Sequence, residues 1–462
     1  VSVGATENLI IASCLADGQT ILKNCAIEPE IKDLTMFLNK AGAKIKWISK
    51  RTIKISGVKS LKKVEYSIMG DRIECGTFCV VATISQGNLK LINYDGKVFH
   101  FGDLESKLST DIKINNPSFF LNVILGGSSA LGEAHIKRDF YTSNLTNLIE
   151  LTARNINTIY SFSGSLKLQK IKNFLKKIFA SNTKSKSIKY ISKHYDLGND
   201  FFSLWLDKSL TYSSAVYKDE KDDLEKAQKN KFQELINLLN IKEGNKILEI
   251  GCGWGGFAEF LAKKYDVSID CITISKNQYD FTKKRIFKSG LNNKVNVKFL
   301  DYRDLNDKYD HVASIEMIEA VGEKYMDQYF GTIKNVLNYN GTAAIQGIVI
   351  KDDLFERYRA NEDFIQKYIF PGGFLPSIQF MENLIKKNDL KLEKINTYSD
   401  DYARTLATWR KNFLGAWEKI SPLGFDEYFK RMWEFYLSYC EGGFKSRNIN
   451  LIQFSMSNRY SS

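Results

Sequence analysis

Lys246-Ile247-Leu248-Glu249-Ile250-Gly251-Cys252-Gly253-Trp254-Gly255-Gly256 is the stretch on which the reading of this chain turns. Lys246–Ile250 is a short apolar run of strand length, and glycines end it. Glycines let the backbone come close to a ligand and open the next helix at its N-terminus. Further along, residues 267–274, 295–300, 311–315 and 341–350 predict more strands, with helices between them. That alternation predicts a doubly wound α/β fold, a Rossmann-like parallel sheet. Such sheets bind ligands beyond the C-terminal ends of their strands, so the glycine loop is the candidate site.

The spacing of Gly251, Gly253 and Gly256 also fits the G-x-G-x-x-G pattern of dinucleotide folds, a weak signal by itself. Two features favour S-adenosylmethionine (SAM) over NAD. Glu249 lies inside the strand before the loop, where a carboxylate can face the cationic methionine end. The next strand ends in Thr273-Ile274-Ser275, with no acid there for an NAD ribose. Gln278 can then hold ribose hydroxyls or the polar methionine atoms. Asp301, ending the third strand, can accept the adenine amino group, or it can cap the turn at 302–305.

Length and charge bound the rest. The 462 residues have room for two or three domains. The net charge of +13 and pI near 9.1 point to anionic partners, either nucleic acid or an anionic membrane surface. Seven scattered cysteines form no CxxC pair, and the four histidines lie far apart, so no metal site is expected. A reducing cytosol is the expected compartment. No apolar run has the ~18–20 residues that a membrane span needs, and no signal peptide is visible. The chain starts at Val1 in mid-pattern, which reads as a fragment or a truncated start.

Residues 166–193 stand apart. Leu168, Ile171, Leu175 and Ile178 recur at helical spacing, and nine lysines fill other positions with no acid among them. This is either a solvated linker helix or a basic amphipathic segment drawn to anionic lipid. Nucleic acid would use the same charge, but no recognition motif for it is present.

The loop and its flanks resemble the cyclopropane-fatty-acyl-phospholipid synthase family from about residue 93 to 459. The likeness includes His194-Tyr195-Asp196-Leu197-Gly198-Asn199-Asp200-Phe201-Phe202 and Thr211-Tyr212-Ser213-Ser214. It continues through LEIGCGWGG at 248–256, DYRDL at 301–305 and EMIEAVG at 316–322. Phe370-Pro371-Gly372-Gly373, Asp401-Tyr402 with Thr405, and Cys440-Glu441-Gly442-Gly443-Phe444 complete it.

The resemblance implies a SAM-dependent methyltransferase with a catalytic domain at 194–462. It implies a smaller N-terminal lipid-handling domain at 91–165, joined through the basic linker. The implied reaction adds a methylene or methyl group to the double bond of unsaturated phospholipid acyl chains, with bicarbonate as the base. The enzyme would then work in the cytoplasm, peripheral to the inner face of the membrane; a homodimer is left open. On the cofactor side the resemblance adds Tyr212 and Ser213 to Glu249, Gly251, Gly253, Gly255, Thr273, Gln278 and Asp301. For bicarbonate it assigns Glu319 and Tyr402, with His194 nearby and the Ile348 backbone as a further contact.

Ser214 stands where the best-known synthases carry a cysteine, and Gln346 where they carry a histidine. Both can still hydrogen-bond to the anion. These departures leave cyclopropane, methyl and methylene products open. Glu316, one helical turn before Glu319, is either a partner of the site or a surface residue. A carbocation also calls for aromatic faces, and Tyr195, Phe201, Tyr212, Trp409, Phe413, Tyr436 and Phe444 are available; about half are expected to line the site.

Residues 1–90 resemble another family. Val1-Ser2-Val3-Gly4-Ala5-Thr6, Glu28-Pro29-Glu30-Ile31 and Asp71-Arg72-Ile73-Glu74-Cys75-Gly76-Thr77-Phe78 are similar to an internal stretch of UDP-N-acetylglucosamine 1-carboxyvinyltransferase. This α+β enolpyruvyl-transferase-like fragment lacks the family's reactive-cysteine loop and is expected to be an inactive remnant. Helices are predicted at 7–16, 31–41 and 76–84, and strands at 21–24, 45–48 and 52–55. The junction is expected near 87–93; natural fusion, gene-prediction error and designed chimera all stay open.

Overall fold

The computed structural model describes residues 2–66, 88–103, 105–156 and 197–458. His194, Tyr195, the basic segment 166–193, the predicted helix 76–84 and the motif 71–78 lie outside the described residues. The chain divides into two compact units, Val1–Cys75 and Gly76–Ser462.

In the first unit, β1 (Gln19–Lys23), β2 (Lys44–Ser49) and β3 (Thr52–Ser56) form an antiparallel sheet in the order β1-β3-β2. Helices Val3–Cys14 and Pro29–Lys40 supply the other half of its core. Ile10, Cys14, Ile31, Leu38, Ile45, Ile53 and Ile55 meet there. Ser2 caps the first helix, accepting from the Ala5 N–H at 3.3 Å. Five elements predicted for residues 7–55 are present, each shifted by a few residues at most.

The second unit opens with a four-stranded sheet. β4 (Asn88–Ile92), β5 (Val98–Gly102), β6 (Ser109–Ile114) and β7 (Phe140–Tyr141) lie in the order β5-β4-β6-β7. Helix Leu145–Arg154 follows; its cap Asn144 accepts from the Asn147 N–H at 3.0 Å. It packs on helix Glu427–Lys445. Gly442 permits the contact, since a Cβ there would lie 2.7 Å from Ile149 Cγ2. Buried Glu441 locks it, accepting from the Thr146 hydroxyl at 2.9 Å and from Arg410 at 3.0 Å. The segment expected as the lipid-handling domain thus packs onto helices of the catalytic part.

The main sheet has seven strands. β8 (Lys246–Ile250), β9 (Ser268–Thr273), β10 (Val295–Phe299), β11 (Tyr309–Ile315) and β12 (Leu337–Ile350) are parallel. β13 (Lys391–Thr397) and β14 (Ile449–Ser457) close one edge, giving the order β10-β9-β8-β11-β12-β14-β13. The order reverses at β8, so the crevice beyond the ends of β8 and β11 is the binding position for this fold. Parallel register sets Glu249 opposite Ala313, and Ile315 opposite Gln346. Apolar clusters cover both faces of this sheet, which explains its near-continuous hydrophobic strands. β13 and β14 lie outside the predicted strands. β14 is antiparallel to β12 and sets Gln453 beside Gln346.

Candidate active site

The glycine loop follows β8 directly. Gly251, Gly253 and Gly255 have φ of +83°, +52° and +78°, where a side chain is strained. A Cβ on Gly255 would also lie 2.5 Å from Thr282 Cγ2. The Thr282 hydroxyl donates to the Gly253 carbonyl at 3.0 Å, and the Trp254 indole N–H donates to Asn199 at 2.7 Å. The loop is therefore held from two sides while helix Gly256–Lys264 starts from it.

Glu249 is buried, and its Oε2 has no hydrogen-bond partner among the described residues. Burial pushes its carboxyl up to about 8, against the pull of Lys231 and Arg285. A buried carboxylate oxygen without a donor calls for one from a ligand, since such atoms are costly. Thr273 donates to the Gln278 side-chain oxygen at 2.9 Å, and Ser275 caps the helix that carries Gln278. These residues fit SAM.

Asp301 lies just past β10. It caps the turn Tyr302–Asp304 and takes a bidentate pair from Arg303 at 2.8 and 2.6 Å. Ser213 likewise faces inward, its hydroxyl accepting from Lys231 Nζ at 2.6 Å. Tyr212 pairs its hydroxyl with that of Tyr436 at 2.8 Å.

Beyond β11 the chain turns sharply at Glu316, with φ of +49°, and enters the short helix Ile318–Val321. The Glu316 carboxyl is partly buried and collects three donors. Oε1 accepts from the Ser214 N–H at 2.7 Å and from Gln346 Nε2 at 2.8 Å. Oε2 accepts from the Tyr402 hydroxyl at 2.5 Å. Burial raises its proton affinity, while Tyr402, Lys231, Ser214 and Gln346 oppose that rise.

Other bonds hold these donors in place. Asp401 accepts from the Tyr217 N–H at 2.6 Å, and Thr405 from the Ala215 N–H at 3.2 Å. They lay the 213–217 stretch along helix Ser399–Gly415. Gln453 donates to the Gln346 side-chain oxygen at 2.9 Å, fixing that amide.

Glu319 accepts from the Ile348 N–H at 2.6 Å, and its buried Oε2 has no partner among the described residues. Burial, then the nearby Glu316 charge, push it up to about 8. The Phe370–Gly373 motif supports it from below: the Phe374 N–H donates to the Glu319 carbonyl at 2.9 Å. Gly347 gives it room, since a Cβ there would lie 2.6 Å from Ile318 Cγ2.

Rings enclose this pair from the helix side. Phe444 stacks on Tyr402 at 4.4 Å between centroids, and Trp409 stands edge-on to Tyr402 at 6.2 Å. Tyr212 and Tyr436 extend the group. Phe201 and Phe413 instead pack one layer further out among Trp205 and Trp433, which join them to Trp409 and Tyr436. Of the six candidate aromatics in the described residues, four join the site and two fill core.

The expected bicarbonate contacts need correction. Tyr402, Gln346 and the Ser214 N–H all bond to Glu316, and the Ile348 N–H bonds to Glu319. The Ser214 hydroxyl turns away and donates to the Ala215 carbonyl at 3.0 Å. Among the described residues these four expected donors are thus engaged by the chain's own carboxylates, and they do not fit a separate bicarbonate; His194 lies outside the described residues. Sequence reasoning also missed Lys231, fully buried and lowered to about 7 by that burial. Its signal was its place on the Ala227–Leu235 stripe of helix Leu224–Asn237, where the other inward residues are buried too.

Residues 182–454 match the family model for mycolic acid cyclopropane synthetase. The cyclopropane-fatty-acyl-phospholipid synthase of Escherichia coli (strain K12) is 37% identical over 349 residues, 74% of this chain and 86% of that protein. The crystal structure of the mycolic acid cyclopropane synthase CmaA1 complexed with SAH and CTAB shares the fold. It has a TM-score of 0.55 and 27% identity, and covers 58% of this chain and 98% of that one. Residues 1–110 match the family model for EPSP synthase (3-phosphoshikimate 1-carboxyvinyltransferase), which runs past the expected junction. UDP-N-acetylglucosamine 1-carboxyvinyltransferase of Pelagibacter ubique (strain HTCC1062) is 46% identical over 149 residues, 32% of this chain and 35% of that protein. Behind an enolpyruvyl-transferase-like stretch, then, the chain belongs to the mycolic acid cyclopropane synthetase family and is a SAM-dependent methyltransferase of the cyclopropane-fatty-acyl-phospholipid synthase type.

Proposed function

We propose that the chain alkylates the double bond of unsaturated acyl chains in phospholipids, forming cyclopropane fatty acids. When bound, SAM supplies the electrophilic methyl group. Gly251, Gly253 and Gly255 bring backbone close to it, and Glu249 with the Thr273–Gln278 pair offers acceptors to its polar atoms.

The observation that carries the reading is the part-buried Glu316–Tyr402 bond, walled by Phe444 and Trp409. An alkene that has taken a methyl group is electron-deficient at its other carbon. Ring faces stabilise such a cation by roughly 2 kcal/mol or more when water is excluded. A base must then remove a proton from the added carbon. The resemblance implies bicarbonate for that, but four of its expected donors are held by Glu316 and Glu319.

The acceptor lies in a membrane surface, and the chain works there as a peripheral protein from the cytoplasmic side. Its net charge of +13 and the lysines of 166–193 support attraction to anionic lipid. The test is incubation with SAM and vesicles of unsaturated phospholipid, followed by mass spectrometry of the fatty acids. A gain of one methylene, retained on hydrogenation, supports the reading. Unchanged fatty acids with every unsaturated lipid would overturn it. A methyl or methylene branch in place of a ring would correct the product alone.

A further inference from the structure

Glu316 sits among the donors assigned to an anion and brings its own charge. Three separate segments converge on it: the 213–217 stretch, β12 and helix Ser399–Gly415. An ionised carboxylate offers about four lone-pair sites. Among the described residues, two on Oε1 and one on Oε2 are taken, which leaves one position on Oε2. The backbone at Glu316 is in the left-handed region, which glycine adopts freely and glutamate does not. Strain of this kind persists where the surroundings over-determine it, and here they fix the side chain. A second anion in the same place would meet the charge of Glu316 and, among the described residues, find Tyr402, Gln346 and the Ser214 N–H already engaged by it.

We propose that the Glu316 carboxylate is the base of the reaction, built into the chain in the place of a bound bicarbonate. This rests on the alkylation described above. As the methyl group moves to one alkene carbon, the methyl–sulfur bond breaks with its electron pair left on sulfur. The other alkene carbon is then electron-deficient. Glu316 Oε2 takes a proton from the added methyl group. The C–H electron pair closes the third ring bond onto the electron-deficient carbon. The proton on Glu316 passes to solvent before the next turnover, so the cycle consumes no base and needs no oxidant.

The test pairs a binding readout with turnover. In the first arm, 13C-bicarbonate is added to protein saturated with S-adenosylhomocysteine, and its NMR line is followed. Wild type is expected to leave the line sharp, and Glu316→Gly to broaden it by opening the place to the free ion. In the second arm, unsaturated-phospholipid vesicles and SAM are supplied in CO2-free buffer. Wild-type turnover is expected to stay unchanged. Glu316→Gly is expected to lose roughly a hundredfold or more, with partial, saturable recovery on adding bicarbonate. Glu316→Gln, whose amide still fills the place, is expected to stay inactive with bicarbonate.

A broadened line with wild type, or a wild-type rate that falls without bicarbonate and returns with it, would overturn the proposal. So would wild-type turnover in Glu316→Gln. Melting curves and S-adenosylhomocysteine affinity report whether each variant is folded; the wild-type arms need no variant. If wild type yields no alkylated lipid, the alkylation reading fails, while the 13C line still decides whether Glu316 holds the anion's place.

Discussion

The hydroxyl of Tyr402 donates to Glu316 Oε2 across 2.5 Å, tying helix Ser399–Gly415 to the residue that follows β11. The two come from distant parts of the chain, and the bond runs from a buried tyrosine to a half-buried carboxylate. The Tyr402 phenol is itself driven well above its ordinary range, by burial first and then by the Glu316 charge. It therefore stays a donor at every working pH.

Tyr402→Phe removes that donor and leaves the ring stacked on Phe444. A hydrogen bond to a charged group is worth about 1.5–3 kcal/mol, which corresponds to roughly ten- to a hundredfold in rate. Because Tyr402 lowers the proton affinity of Glu316, its loss should move the acid limb of the kcat profile to higher pH. SAM affinity should hold within about twofold, since the phenol serves the carboxylate and not the glycine loop. A lower kcat with an unmoved acid limb would mean that Tyr402 acts elsewhere.

Glu319→Gln should flatten the pH dependence of stability. The Glu319 carboxyl lies at about 8 in the fold and near 4.5 when unfolded. Between those values the folded chain binds a proton that the unfolded chain has lost, so stability falls as pH rises across that window. Glu249 acts the same way. Lys231, at about 7 in the fold against 10.5 unfolded, acts oppositely and adds stability from about 7 upward. Wild type should thus be least stable near pH 7–8. Denaturant titrations should show the variant matching wild type near pH 4.5 and exceeding it at pH 8. Parallel curves would mean that Glu319 is ionised in the fold. Turnover should fall less than in Glu316→Gln, because the amide can still accept from Ile348 and leaves Glu316 charged.

How far sequence carried the reading depends on whether a residue's role was local. The glycine loop was legible because its need for positive φ at Gly251, Gly253 and Gly255 is written in residue type. The parallel strands were legible through their apolar runs, since both faces of the sheet are buried. β13 and β14 were not, because half of β13 is exposed polar residues and β14 pairs with a strand a hundred residues earlier. Glu316 and Glu319 were visible as a pair one turn apart. Which of them holds Tyr402, Gln346 and Ser214 depends on the turn at φ +49°, and an ordinary helical reading of EMIEAVG gives no sign of it. Lys231 escaped because a lysine on an inward face is rare unless something polar waits for it; the Ser213 hydroxyl that does so lies 18 residues away.

SAM affinity should depend on pH through Glu249. The free carboxyl lies at about 8, so at neutral pH it is mostly protonated. A cationic ligand that donates hydrogen bonds favours the ionised form. Affinity should therefore rise as pH climbs toward 8 and level off above it, with a proton released on binding below that point. Lys231 and Arg285 are the charged groups that hold this value down. Calorimetry in buffers of different ionisation enthalpy measures the proton directly. Glu249→Gln should bind weakly and lose the slope, which separates this effect from titration of the ligand's own amine. An unchanged slope in Glu249→Gln would place the titrating group outside the loop.

Gly347→Ala tests whether the carboxylate pair depends on the contact between β12 and helix Ile318–Val321. Gly347 lies between Gln346, which donates to Glu316, and Ile348, whose N–H donates to Glu319. Its added Cβ would lie 2.6 Å from Ile318 Cγ2 and 3.6 Å from Glu319 Oε1. Ile318 is fully buried, so the helix must shift, and overpacking of this kind costs about 1–3 kcal/mol. Because Gln346 and Ile348 are anchored in a sheet with β11 and β14 as neighbours, the displacement falls on the Glu316–Glu319 side. The expected result is a modest drop in melting temperature, SAM affinity near that of wild type, and a kcat lower by at least roughly tenfold, as misplacement near 1 Å can cause. Gly347→Ser should behave the same way, since its Cβ meets the same methyl group. A stable, fully active Gly347→Ala would show that helix Ile318–Val321 can move without disturbing the two carboxylates, and that their positions are set by Tyr402 and the Phe374 N–H instead.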